Sequence, residues 1–164
     1  EAEGHVAEPI PVAEARWDDL QAGGETSMGA AFRKIGQALS KEAMPGRQLP
    51  PVIVLASDGY PSDDFEAGLA EMFAAENANA AIRLAIAIGG EADMEVLERF
   101  IRHPALKPLR ANNASDLVRH IKWATTAPVK TASSPTNAPD PLAPLAQRTA
   151  QEAAQSRDVS ELIW

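Results

Sequence analysis

Cysteine is absent from the chain, which excludes disulfides, thiolate metal centres and a cysteine nucleophile together. A thiol-free composition suits a reducing compartment, and the cytoplasm is the expected location. Basic residues are scarce as well, with 15 Lys and Arg against 23 Asp and Glu for a formal net charge of -8. No Lys/Arg cluster falls on any expected element, so nucleic acid is excluded as a partner. Long apolar runs are also missing: no stretch approaches the roughly 20 residues that cross a bilayer, and no signal-peptide pattern occurs. No membrane role is expected. What remains is an ordinary globular composition, 45% hydrophobic over 164 residues, enough for one domain with a real core plus a tail.

Along the chain, helical and strand periods alternate. A weak strand is expected at Ala7 to Ala13, where the prolines around Ile10 confine it to a sheet edge. From Ser27 to Ala43 the residues Met28, Ala31, Phe32, Ile35, Ala38 and Leu39 recur at helical spacing, and Pro45-Gly46 closes the segment. Two unbroken apolar runs, Val52 to Ala56 and Ile82 to Gly89, have the composition of interior strands in a parallel sheet. Helical spacing returns over Asp64 to Asn77, Ala92 to Arg102 and Ala114 to Thr125, with Trp123 on the inward face of the last. Such alternation predicts a three-layer, Rossmann-like α/β fold with a mainly parallel sheet and right-handed crossovers. Residues 127–145 are proline-rich and predict an extended linker, and residues 146–164 a flexible tail with a short helix and an apolar anchor at Val159 to Trp164.

Two motifs carry candidate chemistry. Ser57-Asp58-Gly59-Tyr60-Pro61-Ser62-Asp63-Asp64 directly follows the most apolar strand. In open parallel sheets ligands gather beyond the carboxyl ends of strands, where the strand order reverses, so Asp58 is delivered to the usual site position. An isolated Asp-Gly pair is more often a simple turn. The second motif, Gly23-Gly24-Glu25-Thr26-Ser27-Met28-Gly29-Ala30-Ala31-Phe32, is a glycine-rich approach to a helix, with Thr26 or Ser27 as its N-cap. A phosphate loop is excluded, because Ala30 and Ala31 stand where Lys and Ser or Thr are needed, and no Gly-x-Gly-x-x-Gly fingerprint occurs. Asp63, with Glu66 three residues on, has the spacing of a capping box. His5, His103 and His120 are scattered without a nearby acid or nucleophile, and Trp17 precedes the Thr26 loop as a candidate cover.

Taken in order, a loop threonine before an amphipathic helix and a buried strand ending in Ser-Asp-Gly-x-Pro-x-Asp resemble the second and third metal-site motifs of von Willebrand factor A (vWA) domains. Within that superfamily the two motifs, together with Ile86-Ala87-Ile88-Gly89-Gly90-Glu91-Ala92-Asp93-Met94-Glu95-Val96-Leu97, look most like the tellurium-resistance, TerY-like branch. The resemblance spans roughly residues 5–126. It implies a metal-ion-dependent adhesion (MIDAS) site with Thr26 and Asp58 as ligands and Mg²⁺, or Mn²⁺ or Ca²⁺, as the metal. The family's first motif, Asp-x-Ser-x-Ser, has no counterpart in this sequence. The resemblance therefore implies a fold truncated at its N-terminal side, without the first strand, first helix and second strand, and a metal held weakly or not at all.

The implied function is a non-enzymatic, metal-dependent protein-binding module of a bacterial tellurium-resistance, stress-response or phage-defence system. Its partner would donate an Asp or Glu to the metal, and a separate segment would supply the missing first strand beside Val52 to Ala56. The alternatives are a metal-dependent phosphatase with Asp58 at its strand end, weakened by Tyr60 standing where haloacid-dehalogenase enzymes carry a second Asp, or a structural fragment that folds only with another chain.

Overall fold

The computed structural model describes residues 13–14, 25–46, 48–133 and 140–161, with side chains through residue 154. Its elements alternate as the sequence pattern requires: α1 (Met28–Ala38), β1 (Val52–Ser57), α2 (Phe65–Ala74), β2 (Ile82–Ile88), α3 (Met94–Ile101), β3 (Leu109–Ala111), α4 (Ala114–Ser133) and α5 (Ala143–Glu161). The three strands form one parallel sheet in the order β1-β2-β3. This is an α/β fold of Rossmann-like layout. The strand expected at Ala7 to Ala13 lies outside the described residues except for Ala13, which sits in a turn.

Strand alternation assigns the helices to layers, because successive side chains point to opposite faces. Val54, Ile86, Leu109 and Ala111 form one cluster with Leu117 and Trp123 of α4. On the other face Arg83 lies over Phe73 of α2 and donates to the Ile101 carbonyl at the end of α3. There α1, α2 and α3 share an aromatic core, in which Phe32 stacks on Phe100 at 5.4 Å and meets Phe65 edge-on at 5.6 Å. Backbone contact between α1 and α2 depends on glycine. A Cβ on Gly68 would overlap the backbone of Gly29, and one on Gly29 would overlap the Asp64 carbonyl.

Four elements depart from the expected pattern. Helix α1 ends at Ala38, short of Ala43, because the loop after α2 takes over its terminal groups: Asn77 Nδ2 donates to the Leu39 carbonyl at 3.0 Å and the Lys41 amide to Glu76 Oε2 at 3.2 Å. Strand β3 is unannounced, since three residues are too few to display a period. Helix α4 runs through Pro128 to Ser133, so residues 127–133 of the expected linker are helical. An internal proline forfeits a backbone bond, but the Pro128 ring is fully buried, and that burial offsets the loss. Helix α5 starts at Ala143, and its first turns pack into the domain. Leu145 and Thr149 are buried, the Lys107 amide donates to Thr149 Oγ1 at 3.2 Å, and the Arg148 guanidinium covers Trp123. The terminal Leu162, Ile163 and Trp164 lie outside the described residues.

Candidate functional site

Strand β1 delivers its last residue, Ser57, into a buried position, where the hydroxyl accepts from the Gly59 amide and donates to the Gly59 carbonyl, both at 3.3 Å. That tight turn lifts Asp58 out of the sheet. The Asp58 carboxylate is exposed and makes no hydrogen bond or ion pair among the described residues. Beside it lies the loop that opens α1. The Thr26 carbonyl accepts from the Ser62 amide and from the Met28 amide, both at 2.9 Å, and Thr26 Oγ1 sits 3.9 Å from the point a Cβ would occupy on Gly59. The two motifs, some thirty residues apart in sequence, thus meet at the carboxyl end of β1.

Asp63 fastens that junction. Its Oδ1 accepts from the Gly29 amide and its Oδ2 from the Ala30 amide, each at 2.8 Å. A carboxylate bridging the first free amides of a helix satisfies donors that have no partner within the helix and complements its dipole. The expected caps are corrected accordingly. Ser27 holds the N-cap position of α1 but contributes no side-chain hydrogen bond, and Thr26 contributes none either. The capping is supplied from another loop. Nor does Asp63 form a capping box with Glu66, since Asp64 is the N-cap of α2, accepting from the Ala67 amide at 3.0 Å, and Glu66 pairs with Arg99.

Thr26 and Asp58, the two residues expected to hold a metal, therefore sit on adjoining loops with their side-chain oxygens uncommitted. Two protein oxygens suit a hard cation that keeps most of its waters, and they fall short of a full cage. Among the described residues no group of three or more His, Asp or Glu side chains is placed to hold a metal. The strand order runs in one direction through β1-β2-β3, so a reversal of order would fall at the outer side of β1, where no strand pairs among the described residues.

Elsewhere, His120 is buried with Nε2 2.9 Å from the Arg110 carbonyl, a core histidine satisfied by backbone. His103 is half-buried, whereas His5 and Trp17 lie outside the described residues. Sequence reasoning passed over Arg83, although a charged residue inside the run Ile82-Arg83-Leu84-Ala85-Ile86 is itself a signal, because a guanidinium so placed must find acceptors. Among the described residues no helix is long and apolar enough to cross a membrane. Comparison of the chain with protein-family models, with curated proteins and with solved structures found no match.

Proposed function

We propose that the chain is a metal-dependent protein-binding module of the vWA kind, resembling the tellurium-resistance, TerY-like branch, and that it is not an enzyme. The observation that carries this reading is the meeting of the loops that bear Thr26 and Asp58 at the carboxyl end of β1, with both side chains free of other partners among the described residues. Their loops are locked together by backbone bonds and by Asp63, so the backbone that bears the two residues is fixed before any ligand arrives. Mg²⁺, or Mn²⁺ or Ca²⁺, is the expected metal, with an Asp or Glu of a protein partner completing its shell.

The outer side of β1, unpaired among the described residues, supports the second half of the reading. Val52, Ile53, Val54 and Leu55 are only half-buried, although their composition is that of an interior strand. A segment bearing an apolar strand and ending in Asp-x-Ser-x-Ser would pair there and bring its oxygens opposite Asp58, at the reversal of strand order where ligands collect. A cytoplasmic location rests on the cysteine-free composition, and association with stress-response or phage-defence proteins on the resemblance alone.

Co-expression with such a segment followed by Mn²⁺ titration tests the proposal. Alone, the chain should bind Mn²⁺ or Mg²⁺ no better than about millimolar, because a dehydration-averse cation gains little from two oxygens. With the segment bound, affinity should rise, and Asp58→Ala should remove the gain. Equal metal affinity in wild type and Asp58→Ala would sink the site assignment. Magnesium-dependent turnover of a generic phosphoester would replace the module by a phosphatase.

A further inference from the structure

At the opposite, amino end of β1 and β2 the fold forms a half-open cavity of about 280 Å³, walled by Pro50, Ala81, Ile82, Ala132, Pro141 and Leu142. Into its otherwise apolar lining come Arg83, His103, Asn79 and Thr131, and among the described residues no acidic one. Arg83 is half-buried, and all its hydrogen bonds go to neutral carbonyls: Nε donates to Ile101 at 3.2 Å, and one Nη donates to Ala78 at 2.8 Å and Ala81 at 3.1 Å. The other terminal nitrogen makes no hydrogen bond among the described residues. A second guanidinium, that of Arg102, lies 4.6 Å from the centre of the Phe73 ring that Arg83 covers at 5.0 Å. Arg102 reaches that place from a left-handed backbone, φ 49° and ψ 40°, at the C-cap of α3, a conformation that L side chains adopt at a cost. Burial first, and the charge of Arg102 second, hold the Arg83 pKa below its usual value.

Among the described residues Arg83 thus has no counter-ion, in a protein of net charge -8, and it stands at the wall of a cavity. A half-buried guanidinium with only dipoles around it favours an anion, and its planar fork matches a carboxylate. The cavity's size admits a small ligand, below the usual range for drug-sized molecules. Its walls would desolvate an apolar body.

We propose that this cavity is a binding site for a small amphipathic monocarboxylate, with Arg83 taking the carboxylate and the walls formed by Ile82, Ala132 and Leu142 taking the apolar chain. His103 sits at its rim as a second donor. The site is independent of the metal site, which lies at the other end of the strands.

Titration of the full chain with sodium hexanoate, followed by backbone amide NMR, tests it. Saturable shifts should map to residues 79–83, 103, 131–132 and 142. Hexanamide, the neutral isostere, should bind about tenfold more weakly, which corresponds to one lost charge-assisted hydrogen bond. Ala132→Phe, which fills the cavity, should abolish the hexanoate shifts. Arg83→Met strands the Ile101 and Ala81 carbonyls and can unfold the chain, and the hexanamide arm needs no variant. Equal affinity for hexanoate and hexanamide, saturable shifts that map elsewhere, or no saturation overturns the site. Sodium sulfate reproducing the hexanoate shifts overturns the amphipathic class of ligand.

Discussion

At the carboxyl end of β1 a single carboxylate, Asp58, stands exposed on a loop that is itself fastened down. At the amino end of β2 a single guanidinium, Arg83, is half-buried among carbonyls that neutralise none of its charge. The first group is left free by its surroundings, because the neighbouring Asp63 takes the helix amides that would otherwise draw a carboxylate. The second is held in place yet left uncompensated. A charged side chain is thus set out in two ways within one small sheet. Either the loop is fixed and the side chain left free, or the side chain is fixed and its charge left unpaired.

Three perturbations of the carboxyl end separate it from the amino end, where hexanoate binding serves as the internal control. Gly68→Ala should have the largest effect, destabilising the chain by about 3 kcal/mol in urea unfolding, since its Cβ would overlap Gly29 backbone that has nowhere to move. A change below about 0.5 kcal/mol, the usual size for a neutral surface substitution, would mean that the α1–α2 crossing is loose. Asp63→Ala should cost about 1–2 kcal/mol, the worth of a helix cap, and should speed hydrogen exchange at the Gly29 and Ala30 amides. Unchanged exchange there would remove Asp63 from its role. Asp58→Asn should shift stability by no more than about 0.5 kcal/mol, as an exposed residue without partners does, while removing metal affinity gained with the added strand. A large loss of stability would show that Asp58 has a structural partner. All three variants should leave the hexanoate site intact wherever the chain still folds.

Much of this was legible in the residues. The strands at Val52 and Ile82 announce themselves by unbroken apolar runs, and α2 and α3 by helical spacing, within two or three residues at each end. That the Thr26 and Asp58 loops lie side by side was implied only by the resemblance, since no strand precedes α1 among the described residues to lead the Thr26 loop there. What stayed hidden depends on pairings with no local signature. Asp63 has the spacing of a local cap, and only the fold carries it to amides 33 and 34 residues away. Strand β3 is too short to carry a period and owes its place to pairing with Ile86, Ala87 and Ile88. Pro128 reads as linker until its ring is seen to be buried, and Leu145 reads as linker and Thr149 as tail until the rest of the domain is there to receive them.

The Asp63 clamp has a mechanical consequence. One carboxylate joins the loop that bears Asp58 to the first turn of α1, and α1 in turn rests backbone-to-backbone on α2. A ligand that pulls the Asp58 loop outward must therefore either drag the start of α1 with it or break two charge-assisted bonds. The loop is tied to the helix pair, so displacement of the Asp58 loop would be felt first at the Gly29 and Ala30 amides that Asp63 holds.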